Sequence, residues 1–238
     1  MNISSKFDQL HLAAKENKWL RYFAVFNRIV LALGFLPSGF VKVMGERFTD
    51  LHNNQPMGHY LEALHHTGYY YTFIGVLQMT AAFLLLIPRT ALLGALLYFP
   101  IILNICILSF AVRFEGSLLT SPFMVLANLY LLCWYYDRLK FIFPFNHAVV
   151  PGPSKPAVID NRFPVKFFSG VFGTIVILVF TITHMYDIKP RNTLQDCNRQ
   201  CIKSKNAKAC NIFCDCIHNQ GQPFDKALDD YHKAIKGK

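Results

Sequence analysis

Residues 69–112 read YYYTFIGVLQMTAAFLLLIPRTALLGALLYFPIILNICILSFAV. An apolar run of about 20 residues lies on either side of Pro88-Arg89-Thr90, long enough as a helix to cross a hydrocarbon core of about 30 Å. Neither run carries a charged side chain. Both are apolar all round, whereas a soluble core helix keeps a polar face. The turn at Pro88 and Arg89 is short, so the two helices are antiparallel neighbours. The stretch predicts a transmembrane hairpin.

Further spans flank it. A first runs from about Tyr22 to Met44, with Trp19 and Tyr22 as interfacial anchors. It holds Arg28 within the helix and Lys42 near its far end. An arginine facing lipid is costly, so Arg28 either points into the bundle or snorkels to the near interface. Gly34, Ser38 and Gly39 offer surfaces for close packing, and Pro37 is expected to kink the helix. A fourth span runs from about Leu119 to Tyr136 and ends in the aromatic belt Trp134-Tyr135-Tyr136. In the hairpin, Gln78, Thr80, Asn104 and Ser109 are the polar groups expected to face the bundle interior. Pro100 frees a mid-helix carbonyl that Asn104 or a neighbouring helix would satisfy.

The expected fold class is all-α. An interfacial amphipathic helix over 1–19, with Phe7, Leu10, Leu12 and Ala14 near one stripe, precedes a four-helix membrane bundle over 20–137. A Pro-rich basic linker over 138–166 leads to an additional transmembrane helix over 167–186 and a cysteine-rich tail over 187–238. No secretory cleavage signal is evident at the N-terminus. The composition agrees, at 53% hydrophobic and 16% charged. The net charge of +10 does not call for nucleic acid. The cations lie in loops and tails beside apolar spans, where anionic headgroups and topology account for many of them.

The same cations orient the chain. Lys6, Lys15, Lys18, Arg21, Arg89, Arg138, Lys140, Lys155, Arg162 and Lys166 share one side. Only Lys42, Arg47 and Arg113 oppose them before the tail. The first side is expected to be cytoplasmic, which puts the N-terminus inside and the tail outside a bacterial inner membrane. The tail is itself basic, through Lys189, Arg191, Arg199, Lys203, Lys205 and Lys208, which pulls the other way.

The tail reads DCNRQCIKSKNAKACNIFCDCIHNQGQPFDKALDDYHKAIKGK from residue 196. Cys197 and Cys201 share a helix face, as do Cys210 and Cys214. Two short antiparallel helices would allow nested disulfides, Cys197 with Cys214 and Cys201 with Cys210. So small a segment has little core, and staples are its expected support in an oxidising compartment. Cys216 is left over and could exchange with Cys214. Tetrahedral zinc on four thiolates and a redox-active pair are the rival readings, and spacing alone does not fix connectivity. Haem is not expected, since C-x-x-C-H is absent. Cys106 and Cys133 read as apolar filler. The loop histidines His52, His59, His65 and His66 lack a supporting acid at ligand spacing, so surface roles are expected over metal.

Residues 20–140 resemble the DoxX/DoxD-like family of small four-helix membrane proteins. NRIVLALGFLPSGFVKVMG carries an early arginine, Arg28, and a G-x-x-K element at Gly39 to Lys42. FIGVLQMTAAFLLLIPRTALLGALLYFPIILNI carries an IG-x-x-Q element at Ile74 to Gln78 and a P-R-T-A turn at Pro88 to Ala91. The fifth span and cysteine tail depart from that pattern and imply a specialised role. The resemblance implies the fold more than an activity. Members include subunits of quinone-linked sulfur oxidation, proteins of disulfide or oxidative-stress handling, cargo receptors and receptor chaperones.

Two functions are therefore weighed. The first is a non-catalytic membrane accessory subunit, without cofactor, that binds and stabilises or assembles a larger membrane or envelope complex. The second is a quinone-linked redox protein, with Arg28, Gln78 and Asn104 lining a quinone pocket and electrons passing to or from the external cysteines. Against the second, the cysteines lie past a linker and an extra span. A transporter would call for paired intramembrane charges, which are absent.

Overall fold

The computed structural model describes residues 3–140, 160–202, 204 and 206–236. Of the expected linker, residues 141–159 lie outside this set. So do Lys155, Lys203 and Lys205, and the side chains of Lys6 and Phe7. Among the described residues the fold is all-helical, and five helices are long and apolar enough to span a membrane.

The chain opens with α1 (Ile3–Glu16) and α2 (Lys18–Val43). Asn17 separates them, its side chain accepting from the backbone N–H groups of Trp19 and Leu20 at 3.0 and 3.2 Å. That N-cap satisfies two of the donors that open a helix. A loop carries α3 (Pro56–His65), capped by the Gln55 side chain on the Gly58 N–H with Pro56 in the first turn. The hairpin follows as α4 (Tyr69–Leu86) and α5 (Ala91–Ala111). At its turn the Thr90 hydroxyl donates to the Leu84 carbonyl at 3.0 Å, serving an end that α4 leaves open. The fourth crossing is α6 (Glu115–Leu118) continued by α7 (Thr120–Trp134), with Pro122 in the first turn of α7, where it costs no hydrogen bond. The short α8 (Tyr136–Leu139) ends the bundle.

Helices α2, α4, α5 and α7 form a closed ring, each packed on the next and α7 returning to α2. Small residues bring α2 and α4 together. A Cβ on Gly75 would lie 2.7 Å from the Gly39 carbonyl oxygen, so only glycine permits this approach. In the centre, the Phe35 and Tyr98 rings stack with centroids 3.6 Å apart. The Tyr98 hydroxyl donates to the Leu31 carbonyl at 3.1 Å. The outward side chains are large and apolar, among them Phe26, Leu33, Phe83, Leu93 and Ile107, as lipid contact requires.

The fifth span, α9 (Val165–His184), buries only Ile182. Beyond it stand α10 (Leu194–Cys201), α11 (Ala207–His218) and α12 (Phe224–Lys236). Disulfides join Cys197 to Cys214 and Cys201 to Cys210, the nested pairing expected of two antiparallel helices. Their closed loops span 17 and 9 residues. Around them Ile188, Phe213, Ile217, Ala227 and Tyr231 complete a small core.

Two hairpin expectations are corrected. Asn104 and Thr80 lie on the outer surface of the bundle and not in its interior. The phase of α5 is set by Ala95, Tyr98 and Ile102, all buried, and Asn104 lies two residues beyond Ile102, on the opposite side. The Asn104 side chain makes no hydrogen bond among the described residues, so it does not serve the carbonyl freed by Pro100.

Cys106, Cys133 and Cys216 are free thiols, and Cys216 is buried. Burial first, and the Asp230 and Asp215 carboxylates second, push its pKa up. Since the thiolate is the nucleophile, the native Cys216 is expected to resist alkylation at pH values where an ordinary cysteine reacts. Mass spectrometry of the unreduced, denatured chain should show alkylation of the three free thiols. Reduction should raise that to all seven cysteines. More than three before reduction would contradict the pairing.

Candidate functional site

The polar groups of the bundle act largely on its own backbone. Arg28, 7% exposed, reaches across from α2 to the end of α4. Its Nε donates to the Leu85 carbonyl and its Nη2 to the Leu86 carbonyl, both at 2.6 Å. Those carbonyls belong to the last turn of α4, where no following N–H is in place. The guanidinium supplies two donors in a fixed fork and a positive charge at the negative end of the helix dipole. Arg28 therefore neither snorkels nor waits for a ligand. It is a C-terminal cap delivered from a neighbouring helix.

Lys42 is also buried, at 6% exposure. Its Nζ donates to the Ser38 carbonyl at 2.9 Å and lies 4.3 Å from the centre of the Phe48 ring. An ammonium over an aromatic face gains electrostatic stabilisation in a dehydrated setting. Gln78, 2% exposed, sits at the same helix contact: its Cβ would lie 3.2 Å from a Cβ on Gly39. Its Oε1 has no hydrogen-bond partner among the described residues. The elements Gly39 to Lys42 and Ile74 to Gln78 thus meet in one place.

Arg28, Gln78 and Asn104 do not converge. Arg28 is engaged at the end of α4, Gln78 lies about 10 Å nearer the start of that helix, and Asn104 is outside. The polar groups that sequence reasoning missed are Asn128 and Asn27. Asn128, fully buried, donates to the Ala95 carbonyl at 3.1 Å and joins α7 to α5. Its signal was available as a lone asparagine within an apolar span.

On the face where α2 and α5 end, the tail is clasped to the bundle. Arg113 donates to the Ile188 carbonyl at 2.9 Å, and its guanidinium lies 4.5 and 5.5 Å from the ring centres of Tyr186 and Phe224. Burial draws Arg113 below its ordinary pKa, while Tyr186 and Asp187 oppose that shift. Glu115 accepts from Arg191 and pairs with Lys189 at 3.7 Å. Asn54, before α3, donates to the His218 carbonyl at 2.7 Å. Arg113 and Arg191 both hold left-handed backbone, with φ of 53° and 55°, which non-glycine residues rarely adopt.

The tail sulfurs lie close together, with Cys201 Sγ 3.8 Å from Cys214 Sγ. Cys201, Cys210 and Cys214 are the only grouping of three or more metal-type side chains among the described residues, and all three are in disulfides. The histidines of the 52–66 segment do not gather into such a group. The expectation that no acid stands at helical spacing from them is corrected, since Glu62, four residues before His66, pairs with it at 3.5 Å.

These features define an integral membrane protein, a polytopic helical bundle with a disulfide-bonded appendage. The chain belongs to the same family as YwoB of Bacillus subtilis (strain 168), an uncharacterized protein. It is 35% identical to YwoB over 130 residues, covering 52% of this chain and 82% of YwoB. No family model and no solved structure matches the chain.

Replacing Arg28 with Met would strand the Leu85 and Leu86 carbonyls. The purified protein should lose about 1–3 kcal/mol of stability, read as a lower unfolding temperature in detergent. Arg28→Lys should recover only part, because an ammonium lacks the planar fork. Unchanged stability in Arg28→Met would mean that the guanidinium serves headgroups instead.

Proposed function

We propose that this protein is a non-catalytic accessory subunit, built on a DoxX-like bundle, that stabilises or helps to assemble a larger complex of a bacterial inner membrane. The observation that carries this reading is the engagement of four intramembrane polar side chains by the bundle's own backbone. Arg28 caps α4, Lys42 serves Ser38, Asn128 ties α7 to α5, and the Ser109 hydroxyl donates to the Ile105 carbonyl at 2.7 Å. Such groups build a scaffold. The convergence of the G-x-x-K and IG-x-x-Q elements at one helix contact supports the DoxX-like reading, since it gives both a shared structural reason.

The cation bias supports a cytoplasmic N-terminal face. Lys15, Lys18, Arg21, Arg89, Arg138 and Lys166 lie there, against Lys42, Arg47 and Arg113 opposite. The tail then stands outside, in a compartment where disulfides persist. Its partner-facing surface includes Ile202 and Ile212, 80% and 40% exposed. The quinone-linked alternative draws only on the proximity of the two disulfides. Those sulfurs belong to residues at most 1% exposed, which disfavours exchange with outside thiols.

Native gels of gently solubilised membranes should place the chain in an assembly with other polypeptides. Arg113→Gln combined with Glu115→Gln, which unclasps the tail, should deplete that assembly several-fold while leaving the chain inserted. A chain that migrates alone, with a quinone-dependent thiol oxidation that Cys214→Ser/Cys216→Ser abolishes, would establish the redox reading in its place.

A further inference from the structure

Helix α9 is fastened at its ends and stands off the bundle between them. At its start the Asn17 side chain donates to the Arg162 carbonyl at 2.8 Å, and the Trp19 indole to the Asn161 carbonyl at 3.2 Å. The Phe167 and Phe168 rings sit 5.7 and 5.5 Å from Phe23. Past its end the Tyr186 hydroxyl donates to the Phe110 carbonyl at 3.3 Å. Between these ties α2, α7 and α9 bound a cleft of about 650 Å³. It runs from Phe23, Tyr130 and Lys166 at the membrane surface to Leu31, Phe123 and Ile175 within. From Lys166 to Ile175 the helical rise is about 14 Å.

The walls are apolar, and among the described residues no side chain fills the space. A Cβ on Gly170, which lines it, would meet nothing within 4 Å. Within a bilayer such a cleft takes up a hydrocarbon chain, because water would gain no partners there. Two polar groups select the kind of chain. Lys166, at the mouth, is exposed and makes no ion pair among the described residues. Asn27, one helical turn deeper than Phe23, donates one amide hydrogen to the Phe23 carbonyl at 2.9 Å and has another to give. A cation at headgroup level, with an amide donor one helical turn (about 6 Å) deeper along α2 than Phe23, matches a phosphate above an ester carbonyl.

We infer that the cleft between α2, α7 and α9 binds an anionic glycerophospholipid, its phosphate on Lys166, an ester carbonyl at Asn27 and one acyl chain along α9. A neutral quinone would occupy the same walls without needing the lysine, which separates the two occupants.

The full chain in detergent would be offered equimolar phosphatidylglycerol and phosphatidylcholine of matched acyl chains, and the retained lipid read by native mass spectrometry. Retention of phosphatidylglycerol is expected to exceed that of phosphatidylcholine several-fold. Lys166→Gln should bring the ratio close to one. Gly170→Phe, placing a ring in open space, should reduce retention of both lipids with no fall in unfolding temperature. Equal retention of the two lipids by the wild type would overturn the proposal. So would an unchanged ratio in Lys166→Gln, undiminished binding in Gly170→Phe, or displacement of the lipid by a neutral ubiquinone analogue.

Discussion

Hydrocarbon offers no water to a bare carbonyl, and the hairpin of this protein brings two of them to the end of α4. The Arg28 guanidinium answers both at 2.6 Å. Leaving buried backbone carbonyls unpaired costs about 1–3 kcal/mol, so this contact fixes where α2 must lie against α4. The rest of the ring follows from that placement. With Arg28 at one end, Gly39 and Gly75 are in register to touch near the other. Phe35 and Leu31 then meet Tyr98 of α5, and Asn128 of α7 reaches back to the Ala95 carbonyl. One buried cation thus sets the register of four helices.

The tail obeys a different constraint. It carries too little apolar surface to be stable alone, and its disulfides compensate by limiting the freedom of the unfolded chain. Its docking is polar where its core is apolar. Arg113 and Glu115, on the three-residue connection after α5 and the first residue of α6, hold the carbonyl of Ile188 and the cations Lys189 and Arg191. Both ends of α9 are therefore anchored by loop residues, and the bilayer side of that helix is left to lipid. A fifth helix added in this way extends the bundle without altering its core.

Much of this was legible in the sequence, because the bilayer reduces the problem to length and polarity. The hairpin announces itself through two uncharged runs and a Pro-Arg turn. The nested cysteine pairing was one arrangement that matched four-residue spacings on antiparallel helices allow, beside zinc and a redox pair, and the disulfides realise it. Less legible was rotation about the helix axis, since an all-round apolar helix carries no amphipathic signal, and Asn104 was accordingly assigned to the wrong face. The role of Arg28 depended on a partner 57 residues away. Helix α12 has no counterpart among the expectations although Phe224, Ala227, Leu228 and Tyr231 follow helical spacing; its core partner Phe213 lies on another helix, among the cysteines. The clasp at Arg113 and Glu115 joins loops remote in sequence, where no periodicity operates.

The most direct test asks on which side of the membrane the clasped tail stands. Single cysteines placed at Lys236, on the exposed face of α12, and at Arg89, in the hairpin turn, would be probed in intact spheroplasts with a membrane-impermeant maleimide. Lys236→Cys should be labelled at once and Arg89→Cys only after the membrane is opened. Labelling in the reverse order would put the tail in the cytoplasm and contradict both the orientation and a disulfide-held module facing an external partner.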